Sequence, residues 1–218
     1  MFPLTPPHTG RHLFFGLDLG KLHDHSALVI LERIIQPPGT PRRLRLVLRH
    51  ADRFPLGLPY LEIVRRVVKE IGETAGELRS PWQPTHEKQC PHKSLLPSPT
   101  DLVIDASGVG APVVELLRAA RLHATLVPIT ITASGEPHPD RVSRQDLVTN
   151  LRVLLESGIL RIPPALHHLD ALTAELLNFS SASTDKHDDL AIALALAAWR
   201  AAANLSPTLK REQLLCLP

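Results

Sequence analysis

Two kinds of hydrophobic spacing alternate along the chain. Leu13-Phe14-Phe15-Gly16-Leu17 is apolar at successive positions, so both faces of an extended segment would be covered, as in a central sheet strand. The run ends on Asp18-Leu19-Gly20, and a polar turn follows from Lys21 to His25. Ala27 to Ile34 forms a second strand, and Pro37-Pro38-Gly39 a turn. A third strand alternates Leu44, Leu46 and Leu48 with Arg43, Arg45 and Arg49, interrupted by Val47. Short turns between consecutive strands predict an antiparallel meander with the third strand toward one edge.

The period then changes. Leu61, Val64, Val68 and Ile71 recur at helical spacing between Tyr60 and Gly76, behind Pro59. Residues 80–100, with Pro81, Pro84, Pro91, Pro97 and Pro99, read as an insertion or loop. Asp101 to Asp105 is a short buried strand. The turn Ala106-Ser107-Gly108-Val109-Gly110 leads to a helix from Pro112 to Ala120, and Ala124 to Ile129 forms another strand, completing a βαβ unit. Ser143 with Asp146 resembles a helix N-cap, and that helix buries Leu147, Leu151 and Leu154 before stopping near Ser157-Gly158. Ile159 to Ile162 fits a short strand or an extended link. Pro163-Pro164 opens a helix carrying Leu166, Leu169, Leu172, Leu176 and Phe179, followed by a polar loop from Ser180 to Lys186. The last helix, from about His187 to Ala202, is apolar almost all round. Leu190, Ile192, Leu194, Leu196 and Trp199 stand among alanines, which fits a buried helix lying close on the sheet. No repeat is apparent, and the pattern places one α/β domain at 12–206 between tails at 1–11 and 207–218.

Composition narrows the picture. A chain of 218 residues with 44% hydrophobic and 4% aromatic content suits one large domain with a mainly aliphatic core. The formal charge of +2 and a pI near 8.7 permit a polyanionic partner without demanding one. Arginine outnumbers lysine, which suits bidentate phosphate contacts but also follows from a composition rich in Ala, Leu, Pro and Arg. Cys90 and Cys216 make no disulfide framework, so a reducing, cytoplasmic compartment is expected. Met1 to Thr9 lacks the apolar region of a signal peptide, and no apolar run reaches membrane length. His86, Cys90 and His92 lack a fourth ligand and the usual zinc spacing, and read as loop residues.

The aspartates carry the chemistry. Asp18 and Asp105 each terminate an apolar strand, where a carboxylate is costly unless capped, paired or metal-bound. If those strands are parallel neighbours, both side chains stand at one rim, and Asp101 lies at the far end. Either residue also fits a turn-capping role. Asp188 and Asp189 open the buried last helix, close behind Asp185; capping and the helix dipole favour acids there, but three in five positions repel one another and a cation would relieve the repulsion. Hard carboxylate oxygens grouped in this way suit divalent ions about 3.5–4 Å apart acting on a phosphodiester. The candidate ligands and catalytic residues are thus Asp18, Asp105, Asp188 and Asp189, with Asp185 as a further ligand; the sequence does not choose between Asp188 and Asp189. His187 suits either a water-orienting or phosphate-contacting role or that of an exposed neighbour of the cap. The Gly108-x-Gly110 turn is no nucleotide-binding fingerprint, and its glycines fit close backbone approach. Ser107 lacks the partners of a hydrolase triad.

Gly16-Leu17-Asp18-Leu19-Gly20 with Asp24-His25-Ser26-Ala27-Leu28-Val29 is similar to the opening strands of the nuclease domain of the large terminase subunit of tailed phages. Asp105-Ala106-Ser107-Gly108-Val109-Gly110 with Pro112-Val113-Val114 resembles that family's second acidic strand and turn, and His187-Asp188-Asp189-Leu190-Ala191-Ile192-Ala193-Leu194-Ala195 its final acidic helix. Together they span residues 12 to 200 in the family's order. The resemblance implies a ribonuclease-H-like mixed sheet, three antiparallel strands followed by parallel ones, with helices on both faces. It further implies a Mg²⁺- or Mn²⁺-dependent endonuclease acting on double-stranded DNA during phage genome packaging, in a bacterial or phage-infected cell. Asp18, Asp105, and Asp188 or Asp189 take the metal-binding positions, with two ions per site, while Asp24 matches a recurrent position and is assigned to turn support. A packaging ATPase precedes the nuclease in a complete large terminase, and only about a dozen residues precede the first strand here. The chain is therefore expected to be a standalone nuclease, a fragment or a prophage relic, with a motor or portal protein only as a separate partner.

Hydrolysis by in-line attack of activated water is expected, with duplex DNA held mainly through phosphates. Arg43, Arg45, Arg49, Arg141, Arg144 and His187 are the candidate contacts, although the arginines also suit a solvated strand edge and helix start. Alternatives are a Holliday-junction resolvase, an actin-like or sugar-kinase-like phosphotransferase fragment suggested by Gly16-x-Asp18-x-Gly20, and an inactive DNA- or protein-binding relic. Oligomeric state is left open.

Overall fold

A computed structural model of the chain describes residues 11–20, 24–35, 44–77, 99–133, 138–180 and 187–203. Arg43, Asp185, both cysteines, His86 and His92, and nearly all of the Pro-rich segment lie outside the described residues.

The first three strands, β1 (Arg11–Asp18), β2 (Ala27–Ile35) and β3 (Leu44–Arg53), form the expected antiparallel meander. After helix α1 (Tyr60–Glu77), strand β4 (Thr100–Asp105) returns alongside β1 and parallel to it. Helix α2 (Gly110–Ala119) then crosses to β5 (Thr125–Thr132), parallel to β4, so the predicted βαβ unit is present. A three-residue strand, β6 (Arg141–Ser143), extends the sheet beyond β5; nothing in its spacing distinguishes it from loop. Helix α3 (Arg144–Glu156) follows, and Ser143 caps it by accepting a 3.0 Å hydrogen bond from the Asp146 N–H. The segment left between strand and link contains β7 (Leu160–Arg161), parallel to β3 at its outer edge. The described sheet therefore runs β6-β5-β4-β1-β2-β3-β7, and β3 is next to the edge rather than on it.

Two boundaries differ from expectation. The third strand extends past Arg49 to Arg53, because a register shift opposite Ile30/Leu31 lets pairing with β2 resume at His50. Helix α4 (Leu169–Asn178) begins well after Pro164: His168 adopts a left-handed conformation, φ 59°, which interrupts the helical run and leaves Leu166 in a turn closed on the Pro163 carbonyl.

The last helix, α5 (Asp189–Ala203), is central. It lies across β1, β2 and β4, with α3 and α4 packed on its other sides, and Leu190, Leu194 and Leu196 are completely buried. Each buried leucine contributes roughly 1.5–3 kcal/mol. The small residues set the separation: a Cβ placed on Gly16 would overlap the Ala193 carbonyl oxygen, so only glycine lets α5 lie so close to β1. On the opposite face, α1 (Ile63, Val64, Val67, Ile71) and α2 (Val113, Val114, Leu117) cover Leu13, Phe15, Leu17, Leu102 and Ile104. With helices on both faces of a sheet of this order and polarity, the fold is ribonuclease-H-like. No described helix is long and apolar enough to cross a membrane.

Candidate active site

Strand parity decides where the acids go. Phe14 belongs to the core under α5, and Asp18 lies an even number of residues on, so its side chain leaves the same face. Val103 belongs to that core too, and Asp105 follows with the same parity. The parallel register of β1 and β4 pairs Leu17 with Ile104, which puts Asp18 and Asp105 on the next rung, on adjacent strands about 5 Å apart. Asp189 is the first residue of α5, and Asp188 closes the helix's first turn by accepting the Ile192 N–H at 2.8 Å. The positive end of α5 therefore meets the carboxyl ends of the two central strands.

Electrostatics report the convergence. The Asp18 carboxyl is pushed well above the usual carboxylate range, first by burial and then by the negative charges of Asp105, Asp189 and Asp188; a hydrogen bond from the Leu19 backbone opposes the shift. Burial also raises Asp189, aided by the charge of Asp24 and opposed by Arg53, His187 and His25. Asp189 is almost fully buried, and its Oδ2 has no hydrogen-bond partner among the described residues; the Arg53 Nε stands 3.8 Å away. A buried carboxylate oxygen left in this state is costly, and a hard cation would satisfy it.

The two acids of α5 are held differently. The Asp188 carboxylate forms an ion pair with the Arg144 guanidinium, which also donates to the Ser180 carbonyl (3.1 Å) and lies over the Phe179 ring. Asp189 has only the looser ion pair with the Arg53 Nε, at 3.8 Å, among the described residues. Asp105 accepts the Ser107 N–H at 2.9 Å, so it closes its own turn as well as facing Asp18. Ser107 Oγ in turn accepts the Ile131 N–H of β5. Gly110 permits this tight loop, since a Cβ there would overlap the Asp105 carbonyl oxygen. His187 is exposed and stands 3.6 Å from Asp24.

The expected phosphate contacts are dispersed. Arg45 sits at the end of the sheet remote from Asp18, level with Arg11 through Ile34. Arg49 is bound to the buried Glu32, its Nε donating at 2.7 Å. Arg144 is engaged with Asp188. Arg141 is exposed at the start of β6, beside the carboxyl end of β5.

Two residues of this rim were not singled out from sequence. Arg53, at the end of β3, is ion-paired with Glu175 of α4, and the other Glu175 oxygen accepts the Ala191 N–H at 2.9 Å, capping α5 from outside. A signal for Glu175 existed: it is an acid within the apolar stripe Leu172, Leu176, Phe179. Arg53 gave none, because the strand's end was not legible.

The donor set at the rim is all carboxylate oxygen, which suits Mg²⁺ or Mn²⁺ rather than a thiophilic ion. Fold and acid cluster together define a ribonuclease-H-like domain with a carboxylate rim. No protein-family model and no curated protein matches the sequence. Among solved structures, the chain is similar to the human cytomegalovirus terminase nuclease domain, Mn-soaked and inhibitor-bound, at TM-score 0.57 and 12% identity over 88% of this chain and 83% of that one. The Mn-soaked form without inhibitor matches at TM-score 0.51 and 11% identity, over 85% and 83%. The resemblance to a terminase nuclease domain is thus one of fold across most of the chain.

Proposed function

We propose that the protein is a divalent-metal-dependent endonuclease of terminase-nuclease type that hydrolyses phosphodiester bonds of double-stranded DNA. The observation that carries this reading is the meeting of Asp18, Asp105 and Asp189 at one rim, with Asp18 driven toward its protonated form first by burial and then by the charges of the others. The similar viral nuclease domains are Mn-soaked forms, which supports the same type of ion here. Asp18 and Asp105 are assigned as the shared ligands on the strands, and Asp189, buried and more loosely paired than Asp188, as the ligand from α5. Asp188 is assigned to hold Arg144. Two Mg²⁺ or Mn²⁺ ions, when bound, would lower the pKa of the attacking water and offset charge on the scissile phosphate. The chain's own part is to fix carboxylates on rigid elements. Arg53, tied to Glu175, sets the position of Asp189. Arg141 is the preferred phosphate contact of the expected set. Separate packaging ATPase or portal partners remain part of the terminase analogy.

Cleavage of supercoiled plasmid in Mg²⁺, Mn²⁺ and EDTA tests the assignment. Native protein should cut with either ion and stop in EDTA, while Asp18→Asn and Asp105→Asn should be inactive though folded. Full activity in both variants would defeat it. Four-way junctions cut in strong preference to linear duplex would redirect the proposal to a junction resolvase.

A further inference from the structure

A second set of ligand-type side chains stands apart from the acidic rim. Asp52 of β3 and the consecutive histidines His167 and His168, just before α4, each present a ligand atom, and these atoms all lie within 4.8 Å of one another. The His168 Nε2 is 3.6 Å from the Asp52 Oδ1. Asp52 pairs with Leu28, which pairs with Leu17, so the cluster is two strands across the sheet from β1, roughly 10 Å.

Consecutive side chains ordinarily diverge. Here the two imidazoles meet edge to face with centroids 4.0 Å apart, and the backbone feature between them is the left-handed turn at His168 (φ 59°, ψ 22°). That conformation costs a non-glycine residue about 1–2 kcal/mol. His168 occupies the N-cap position of α4, yet its side chain makes no capping hydrogen bond, so helix capping does not explain it. Strain at a residue whose ring points to another ring and a carboxylate, without serving its own helix, is what a ligand position requires.

We propose that Asp52, His167 and His168 form a site for Zn²⁺ or a similar borderline divalent cation, distinct from the Mg²⁺- or Mn²⁺-type rim. Two imidazoles and one carboxylate match zinc's preferred donors, and three protein ligands leave a fourth position for water. Ligand atoms around tetrahedral zinc lie roughly 3.4 Å apart. The His168–Asp52 separation of 3.6 Å is already close to that, the three ligand atoms lie within 4.8 Å of one another, and all three groups retain solvent access. The positive end of α4 opposes a cation, and Asp52 with Asp170 in the first helical turn offsets it. The ion would clip the end of β3 to the start of α4, the two elements whose Arg53 and Glu175 are joined beside Asp189.

Zinc titration of the full chain in excess Mg²⁺, by competition with a chromophoric chelator, tests the proposal. One zinc per chain should bind, with a rise in Tm. His167→Ala, at an exposed position, and His168→Asn, whose asparagine tolerates the left-handed turn, should each weaken binding by more than about tenfold. Asp18→Asn should bind zinc as native protein does. No zinc retained against Mg²⁺, unchanged affinity in either histidine variant, or loss of zinc in Asp18→Asn would each overturn it.

Discussion

The two ends of strand β4 carry an aspartate each, in opposite electrostatic surroundings. Asp101, at its start, is buried, yet its carboxyl is held below the usual range: burial pushes it up, but hydrogen bonds from His12 and Arg200 and their charges outweigh that. Arg200 comes from α5 and donates at 2.7 Å. On the same remote side, the buried Glu32 is matched by Arg11 at 3.0 Å and Arg49 at 2.5 Å. About 13 Å along the same strand lies Asp105, next to Asp18, and Asp18 is pushed up instead of down, by burial and then by the charges of Asp105, Asp189 and Asp188. One end of the sheet neutralises its acids with cations of the chain, and the other gathers acids faster than it supplies cations. Burial alone therefore does not separate the two ends; the proposed assignment rests on burial without a matched cation.

The largest expected effect separates the two ends directly. Asp18→Asn or Asp105→Asn should lower DNA cleavage by more than about a hundredfold, measured by plasmid nicking in Mn²⁺, whereas Asp101→Asn should leave turnover per folded molecule within about twofold. Within the acidic end, Asp189→Asn should cost nearly as much activity as Asp18→Asn, and Asp188→Asn much less. Equal losses in the two α5 variants would show that the Arg144 clamp does not distinguish them.

Stability should sort the other way. Asp101→Ala leaves Arg200 and His12 without their acid, and breaking a buried pair costs about 3–5 kcal/mol, seen as a lower urea midpoint. In EDTA, Asp18→Asn should raise Tm at pH 7, by about 2–4 °C for each kcal/mol of repulsion removed.

The pH dependence is the smallest and most discriminating effect. Because the folded pKa of Asp18 is raised, its contribution to metal-free stability is fully present below the unfolded value of about 3.9 and is lost as pH rises through the folded value. Asp101 has the opposite sign: its contribution is present above that unfolded value and is lost as pH falls through the depressed folded one. Tm profiles in EDTA should therefore decline less steeply on the neutral side in Asp18→Asn and less steeply on the acid side in Asp101→Asn. Added Mn²⁺ should raise Tm at neutral pH in native protein and not in Asp18→Asn.

Much of this was legible in order. The apolar runs ending at Asp18 and Asp105, the Ser143 cap and the all-round apolarity of α5 are local patterns, and each appears where the spacing put it. Helix α1 is also where expected, but its buried face is Ile63, Val64, Val67 and Ile71, turned from the expected stripe so that Leu61 is exposed. What escaped depends on contacts distant in sequence. Strand β6 has three residues and exists because β5 offers it an edge. The late start of α4 follows from one left-handed residue rather than from propensity. Arg53 and Glu175 find each other across 122 positions, beyond any periodicity.

The sequence by itself determined which carboxylates end strands and open a buried helix, because burying a segment on both faces requires an apolar run and its end is visible as the first acid. It also indicated, through the alanines, that α5 lies close on the sheet, while the fold decided that Gly16 is where it comes closest. Only the tertiary structure decided that Asp18 and Asp105 share a rung, that Arg144 holds Asp188 and leaves Asp189 facing Asp18, and that His167 and His168 meet Asp52. Those choices are set by strand order, parity and side-chain reach between elements far apart in the chain, and such distances become short only once the core has closed.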